Sequence, residues 1–419
     1  MLPVAETLAP PSVALPWGAW YADTMRTFPV PEHWIVETLR MADAPALSAQ
    51  ALEAAIDTPV GTPSLEDVAR GARSAAIAVD DLTRPTRAEA LVTALLQRLN
   101  AAGIEDRNIA VVIASGAHRE ADARDIALKL GSVAGRVRVE GHAPHGDLVD
   151  TGVRLGGVPV RLNRTFAQAD VRIGVGAVLP HPFAGFGGGG KIVVPGLADL
   201  DVLARTHKYA LMGLSGNTGL EGNRFRGDME QAVRTIGLHW TLNVVVNSGR
   251  DTAHVVGGDM VEAHRAAAQL ASKVGRTAAP DAPLDALVVN AYPKDGELLQ
   301  IESALVAVRG GAASWLRAAA PIVLTAACSA GCGTHNLFGP GGRLFRPPMQ
   351  RRSLGDHPLV IFAEGATRDD ANNVFWDGYR FTNDWDEVVK VVGATNRTPR
   401  VGILPCGPLQ VLEGELRNA

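Results

Sequence analysis

Short apolar, β-branched runs recur along the chain and end in polar or glycine-rich turns. The first series comprises 75–81, 109–118, 137–142 and 170–178, and the second comprises 284–293, 321–328, 358–365 and 401–407. Amphipathic helix candidates stand between or beside these runs, at 64–72, 88–103 and 260–275. Because alternating strands and helices form mainly parallel sheets that are covered on both faces, this pattern predicts an α/β fold.

The division of the chain follows from a Pro- and Ala-rich segment, 276–286, that separates the two series. We predict an N-terminal catalytic and cofactor-binding α/β domain over 1–275 and a C-terminal α/β domain over 276–400. A last strand and tail, 401–419, is expected to return to the first domain. Ligands collect at the carboxyl ends of parallel strands, so we predict the active site in the cleft between the two domains.

Composition narrows the class of protein further. The net charge of −4 implies no basic face, so we expect no nucleic-acid partner. An odd, sparse count of three cysteines favours a reducing compartment over a disulfide framework. We find no signal peptide and no apolar stretch near the roughly 18 residues of a membrane span. The sequence therefore predicts a cytoplasmic protein without a membrane partner, and a homo-oligomer is compatible with it.

The most distinctive local feature is a run of four glycines, Gly187, Gly188, Gly189 and Gly190, directly before Lys191. Glycines let the backbone approach a ligand, and their N–H groups can form an anion-binding nest. The spacing also fits the start of a P-loop, G-x-x-x-x-G-K. However, the next residue is isoleucine, where the P-loop has the Ser or Thr that binds Mg²⁺. A P-loop-like Mg-nucleotide phosphotransferase therefore remains as the alternative function, and a flexible surface loop as the alternative structure.

Three histidines lie near predicted strand ends or glycine turns: His118, His181 and His207. Imidazole suits proton transfer near neutral pH and is a common ligand of nickel, zinc, copper and iron. A lone histidine is more often structural, but three in such places favour a site. The sequence has neither HExxH nor paired CxxC motifs, so it does not indicate a simple zinc site.

A third cluster, DDLTRPTR, spans Asp80 to Arg87. Arg84 can bind a carboxylate or phosphate through two parallel hydrogen bonds, and Asp81 and Thr83 can bind neighbouring N–H and O–H groups. The structural alternative is a capped turn, in which Thr86 leads into the helix at 88–103. Both interpretations are compatible.

Together these clusters resemble the nickel-dependent lactate racemase family. The matching elements are DDLTRP (80–85), SGAHR (115–119), HPFAGFGGGGKIVVPG (181–196) and TH (206–207). They cover most of the N-terminal half in the order and spacing of the family. The C-terminal half resembles the family more weakly, through NAYPKDGELLQ (290–300) and the turn at 328–333.

The resemblance implies a nickel-pincer nucleotide, pyridinium-3,5-bisthiocarboxylic acid mononucleotide with nickel, attached covalently to Lys191. It also implies partners, the proteins that build this cofactor. By resemblance His207 is the metal ligand, His118 and His181 are the catalytic acid/base pair, and Arg84 and Gln300 bind substrate. Asp81, Thr83 and the four glycines are predicted to bind the cofactor.

The reaction implied by the resemblance is the inversion of the hydroxyl-bearing C2 carbon of a 2-hydroxy acid, or of a related polyhydroxy acid or sugar. Hydride passes reversibly to the cofactor while a histidine takes the hydroxyl proton, and hydride returns to the other face of the flat keto acid. Two bases on opposite sides allow inversion in both directions. The sequence thus predicts an isomerase, a racemase or epimerase.

One departure from the family bears on the substrate. Lactate-type members have a lysine three residues after the glutamine that matches Gln300, and this chain has Ser303 there; Leu299 replaces a tyrosine. A second cation for the carboxylate is absent unless Lys294 or Arg309 reaches the site. We therefore expect a substrate larger than lactate, more hydroxylated or more apolar, with Ser303 beside it.

Overall fold

The computed structural model describes residues 11–211, 216–217, 219–345, 354–375 and 378–413. The strands are β1 (Ser12–Trp17), β2 (Thr24–Pro29), β3 (Ile35–Thr38), β4 (Ala75–Asp80), β5 (Ile109–Ala114), β6 (Arg138–Gly141), β7 (Leu148–Leu155), β8 (Val158–Asn163), β9 (Val171–Ala177), β10 (Pro180–His181), β11 (Ala184–Phe186), β12 (Gly216–Asn217), β13 (Trp240–Val246), β14 (Thr252–Gly258), β15 (Arg276–Thr277), β16 (Ala286–Asn290), β17 (Ile322–Ala326), β18 (Leu359–Ala363), β19 (Arg380–Thr382), β20 (Arg400–Leu404) and β21 (Val411–Leu412).

The α-helices in these ranges are α1 (Ala49–Asp57), α2 (Leu65–Ala69), α3 (Glu89–Ala101), α4 (Ala123–Leu130), α5 (Arg164–Gln168), α6 (Leu200–Leu211), α7 (Arg224–Ile236), α8 (Glu262–Gly275), α9 (Leu298–Ile301), α10 (Leu305–Gly310), α11 (Arg368–Val374) and α12 (Trp385–Gly393). Within the described ranges, none of them combines the length and apolar character that crossing a membrane requires.

The first sheet has six strands in the order β14-β13-β9-β4-β5-β6. All neighbouring pairs are parallel except β13 and β14, which are antiparallel. Every residue of β4 and β5 is buried, as expected for strands covered on both faces. Ile77 and Val79 face one core with Leu95 of α3, whereas Ala76 and Ala78 face the other. This alternation explains why the strand is apolar at every position.

The second sheet has the order β19-β18-β17-β16-β20-β3, and all its pairs are parallel. The antiparallel hairpin of β1 and β2 covers one face. Its Trp17 and Phe28 pack against Phe362 of β18 and Trp385 of α12, with Phe28 and Trp385 ring centroids 4.5 Å apart. The two sheets and their helices confirm the predicted α/β class with mainly parallel sheets.

The strands of the two sheets do not follow the domain boundary that the sequence predicts at 275/276. β3, although it lies within 1–275, forms the edge of the second sheet by pairing with β20. β20 itself lies inside that sheet beside β16, although the sequence division places it in a separate tail. The end of the tail, 414–419, lies outside the described residues. The limits of independently folding domains stay a prediction.

Candidate active site

A cavity of about 650 Å³ lies where the carboxyl ends of β4, β5 and β9 face loops of the second sheet. Its size falls in the range of about 300–1,000 Å³ that is usual for small-molecule sites. Most of the predicted site residues line it: Asp81, Arg84, His118, His181, Gly187, Gly188, Lys191, His207, Gln300 and Ser303. Thr83, Gly189 and Gly190 are not on its wall.

The turn after β4 is fixed by a buried lysine of α4. The ammonium of Lys129 lies 2.6 Å from the Asp80 carboxylate and donates to the carbonyl oxygen of Asp81 at 2.9 Å. The hydroxyl of Thr86 donates to the other Asp80 oxygen at 2.8 Å. The expectation that Thr86 caps the next helix is therefore wrong: α3 begins at Glu89, and its N-cap residue makes no side-chain capping bond.

Asp81 orients His118. Nδ1 of His118 lies 2.7 Å from one Asp81 oxygen, and the backbone N–H and hydroxyl of Thr83 bind the other. Burial alone would raise the pKa of Asp81. The charge of His118 and its hydrogen bond, together with Arg84 and Thr83, outweigh that effect and hold the pKa below its usual range. Since the ionised carboxylate accepts the Nδ1 proton, neutral His118 keeps its lone pair on Nε2, where it can accept a hydrogen bond or a proton.

His181 has the opposite hydrogen bonding. Its Nδ1 accepts from the backbone N–H groups of Phe183 and Ala184, at 3.2 and 3.3 Å. Nδ1 therefore carries no proton, and neutral His181 carries its proton on Nε2. Burial, with the nearby charges of Lys191 and Arg84, holds the pKa of His181 well below its usual value.

His207 lies on α6 with Nδ1 2.7 Å from the Leu203 carbonyl oxygen. A carbonyl only accepts, so this bond leaves the lone pair of His207 on Nε2, the tautomer of a metal ligand. Burial, assisted by the charge of Lys191, lowers the pKa of His207 to about 4 although the Leu203 bond opposes it. Aromatic rings of Phe183 and Phe338 pack on it, with centroids 5.8 and 5.4 Å away.

Lys191 lies in a 3₁₀ turn, Gly189–Ile192, that begins a few residues after β11. Among the described residues its amine has neither a hydrogen-bonding nor an ion-pair partner. Burial and then the charges of Arg84 and Arg226 lower the pKa of Lys191 to about 7. About half of these amines are neutral, and thus nucleophilic, near pH 7.

The glycine run is packed rather than flexible. Gly188 and Gly189 have positive φ, and a Cβ on Gly189 would lie 2.9 Å from the carbonyl oxygen of Met260 and 3.0 Å from the ring of His264. The N–H of Gly189 donates to the side chain of Asn243, and that of Gly187 donates to Leu179. These N–H groups are not available to a phosphate, and no long helix follows Lys191 directly. The segment does not fit a P-loop.

The substrate-binding candidates reach the cavity from both sheets. The guanidinium of Arg84 donates to the hydroxyl of Thr83 at 2.7 Å. Nε2 of Gln300, on α9, lies 3.2 Å from Nε2 of His118, so the two sheets meet at this imidazole. Ser303 also lines the cavity, but its hydroxyl donates to the carbonyl of Gln300 at 2.7 Å.

His335, two residues after the turn at 328–333, adds a fourth imidazole to the cavity beside His118, His181 and His207. Its ring centroid lies 5.3 Å from that of His118 and 6.4 Å from that of His207. Nδ1 accepts from the N–H groups of Leu337 and Phe338, both at 3.2 Å, so Nε2 carries the proton. Phe183 and Phe338 were missed entirely, because no local pattern distinguishes cavity aromatics from core aromatics.

Fold and site together define a two-sheet α/β protein whose cleft is lined by histidines and a buried lysine. Residues 21–219 match the lactate racemase N-terminal domain family. The lactate racemase of Lactiplantibacillus plantarum is 28% identical over 263 residues, which are 62% of this chain and 62% of that protein. The lactate racemase of Thermoanaerobacterium thermosaccharolyticum is 27% identical over 296 residues, 68% of this chain and 67% of that protein. The chain is thus similar to lactate racemases, above all over its N-terminal half.

Solved structures agree on the fold. The lactate racemase apoprotein from Thermoanaerobacterium thermosaccharolyticum superposes with a TM-score of 0.74 at 20% identity, covering 96% of this chain and 100% of that one. A Thermotoga maritima protein solved by structural genomics gives 0.66 at 18% identity, covering 88% and 100%.

Proposed function

We propose that the chain is an isomerase, a racemase or epimerase that inverts the hydroxyl-bearing C2 carbon of a 2-hydroxy acid or related polyhydroxy acid. The observation that supports this most is the meeting of His118, His181 and the unpaired amine of Lys191 in one cavity. The similarity to lactate racemases supports the same reaction class. A cytoplasmic location is part of the proposal.

The cofactor in this proposal is the nickel-pincer nucleotide, attached to Lys191 and supplied by cofactor-building proteins. When bound, such a group would provide a reversible hydride acceptor. The residues fit it: Lys191 offers an amine that is nucleophilic near neutral pH, and His207 offers an Nε2 lone pair. In the described part of the chain, no group of three or more His, Cys, Asp or Glu could hold a metal ion, so a metal at His207 would need ligands from the cofactor.

The chain's own residues divide the proton chemistry between them. Nε2 of His118 accepts the hydroxyl proton of one enantiomer, and the Asp81 carboxylate stabilises the imidazolium that forms. His181 first acts as a hydrogen-bond donor from Nε2. It becomes a base only when its ring turns, so that Nδ1 leaves the N–H groups of Phe183 and Ala184. Inversion in both directions therefore includes a movement of His181.

The substrate is proposed to be larger than lactate. Position 303 supplies no cation, since its serine hydroxyl is bonded to the backbone of Gln300. A cavity of about 650 Å³ has room for a longer or more hydroxylated chain beside a cofactor. Aldonic acids and larger aliphatic 2-hydroxy acids are the first compounds to test, and sugar C2 epimerisation is the alternative within the same chemistry.

The test is chiral analysis of a panel of 2-hydroxy acids and aldonic acids, incubated with protein co-produced with the cofactor-making enzymes. We expect inversion of at least one compound, and its loss in His118→Ala and in His181→Ala while both variants retain nickel. If both variants stay fully active, the two-histidine mechanism fails.

A further inference from the structure

Lys294 is a buried lysine at the cavity wall for which the described residues provide no anion. It follows β16, and only 6% of its surface is exposed. No described carboxylate lies within ion-pair distance of its ammonium. Arg309, the other cation on this side of the cavity, differs because its guanidinium lies 2.6 Å from Glu302. Of these two cations, Lys294 is therefore the one that lacks a partner.

The surroundings of Lys294 are themselves positive. Burial and then the charges of Arg84 and Lys191 hold the pKa of Lys294 well below its usual value, and Asp81 only partly opposes them. Asp81 is already bound by His118 and Thr83. A buried ammonium without a counter-ion costs free energy, and a bound anion offsets that cost. Lys294 also contributes to the charge acting on His181, so it lies near the proposed chemistry.

We propose that Lys294 and Arg84, reaching the cavity from the two sheets, bind the carboxylate of the substrate between them. Lys294 thereby supplies the second cation that Ser303 does not. The inference rests on the proposed function only in identifying the anion as the carboxylate of a 2-hydroxy acid. It predicts that the substrate class is anionic and that neutral sugars bind poorly.

The test uses the full-length protein without cofactor and follows binding by ligand-detected NMR titration. Glycolate is the probe, because it is the part that all 2-hydroxy acids share, and glycolamide is its uncharged counterpart. We expect Lys294→Met to weaken glycolate binding about tenfold or more, the loss of one charge-assisted hydrogen bond. Glycolamide should bind weakly to both proteins. Lys208→Met makes the same substitution at an exposed lysine of the same cavity and should change glycolate binding less than twofold.

Inorganic phosphate distinguishes the substrate carboxylate from an anionic group of the cofactor. If Lys294→Met weakens phosphate binding and leaves glycolate binding unchanged, Lys294 serves the cofactor and the proposal is overturned. Absence of saturable glycolate binding to the unaltered protein, or an equal loss in Lys208→Met, overturns it as well. Lys294→Arg, which keeps the charge, should retain binding within a few-fold, and thermal melts verify that each variant is folded.

The two proposals fail separately. Glycolate binding is measured without cofactor, so a loaded protein that inverts nothing would reject the proposed function and leave this result standing. Conversely, a loaded Lys294→Met enzyme with an unchanged KM for its substrate would reject the role of Lys294 and leave the proposed racemase function intact.

Discussion

His118 and His181 share one cavity, yet their rings are held in opposite ways. A carboxylate takes the Nδ1 proton of His118, whereas two backbone N–H groups point at Nδ1 of His181. The first ring is ready to accept a proton at Nε2 and the second to donate a hydrogen bond from it. At the residue scale, the site is therefore asymmetric before any substrate binds.

Asp81→Asn tests this orientation of His118. The amide keeps the size of the side chain but removes the charge that stabilises the imidazolium, and it no longer enforces the Nδ1–H tautomer. We expect the inversion rate per bound nickel to fall by about 10²-fold or more, a readout that separates this role from the predicted contact of Asp81 with the cofactor. An inversion rate within a few-fold of the unaltered enzyme would show that Asp81 does not assist His118.

The pKa of Lys191 gives a second prediction for a single residue. Since burial, Arg84 and Arg226 lower this pKa to about 7, the neutral amine becomes dominant as the pH rises through 7. Acetic anhydride labelling at Lys191, followed by peptide mass spectrometry on cofactor-free protein, should therefore rise between pH 6 and 8 and then level off. A labelling rate that keeps rising steeply from pH 8 to 10, as for an ordinary lysine, would contradict the lowered pKa.

The sequence predicted most cavity residues at this scale because they stand in compact motifs at strand ends. It could not separate Gly187 and Gly188, which line the cavity, from Gly189 and Gly190, which pack on α7 and α8. That difference depends on contacts with Met229 and Met260, which are distant in sequence. For the same reason, the sequence offered both Lys294 and Arg309 as the second cation for the carboxylate. Only the ion pair of Arg309 with Glu302 distinguishes them.

At the scale of elements, the Lys129–Asp80 ion pair joins α4 to the end of β4 and sets the position of the turn that carries Asp81. Lys129→Met leaves the buried Asp80 carboxylate without its cation. We expect a loss of about 3–5 kcal/mol in the free energy of unfolding, measured by urea denaturation. Asp80→Asn combined with Lys129→Met should recover part of it.

The matched control is Lys390→Met, which breaks an exposed ion pair with Glu387 on α12. Exposed pairs contribute little, so this variant should unfold at the same urea concentration as the unaltered protein. An equal loss in both variants would show that the buried pair at β4 has no special role.

Many elements with a local signature were predicted, but β13, whose residues are all buried, and the helices α6 and α7 were not. The eight apolar runs and the helix segment with Leu91, Leu95, Leu96 and Leu99 correspond to observed strands and to α3. The hairpins β1–β2 and β7–β8 were missed, because their half-exposed strands carry no continuous apolar run. β3 belongs to the second sheet only through pairing with β20, more than 360 residues away, which no local pattern reveals.

For the whole molecule, contacts across the cleft hold the two sheets together around the cavity. The side chain of Gln300 contacts the ring of His118. The backbone N–H of Asn336 donates to the carbonyl oxygen of Ala117 at 2.7 Å. The indole N–H of Trp20 donates to the carbonyl oxygen of Arg84. The imidazole of His118 is thus in contact with residues of both halves.

Glu297 makes the stability of the folded protein depend on pH. Burial and then the charges of Asp81 and Asp125 raise the pKa of Glu297 to about 7, whereas Arg119 lowers it. The folded protein keeps Glu297 protonated while the unfolded chain ionises above about pH 4.5. Between about pH 4.5 and 7 this group therefore costs stability, up to about 3 kcal/mol above pH 7.

Glu297→Gln removes that cost. We expect the variant to gain unfolding free energy relative to the unaltered protein at pH 8 and to gain little at pH 5, both measured by urea denaturation. Glu32→Gln, at an exposed glutamate, should show no such difference between the two pH values. A gain for Glu297→Gln that is equal at both pH values would contradict the raised pKa.

Lys191 is the proposed attachment point of a nickel-bearing nucleotide in this cleft. Intact-mass spectrometry with metal analysis, on protein co-produced with the cofactor-making enzymes, tests it most directly. We predict one covalent adduct at Lys191 with one nickel per chain, and neither in Lys191→Ala. Protein that inverts its substrate with Lys191 unmodified, or an adduct that persists in Lys191→Ala, would rule out this attachment.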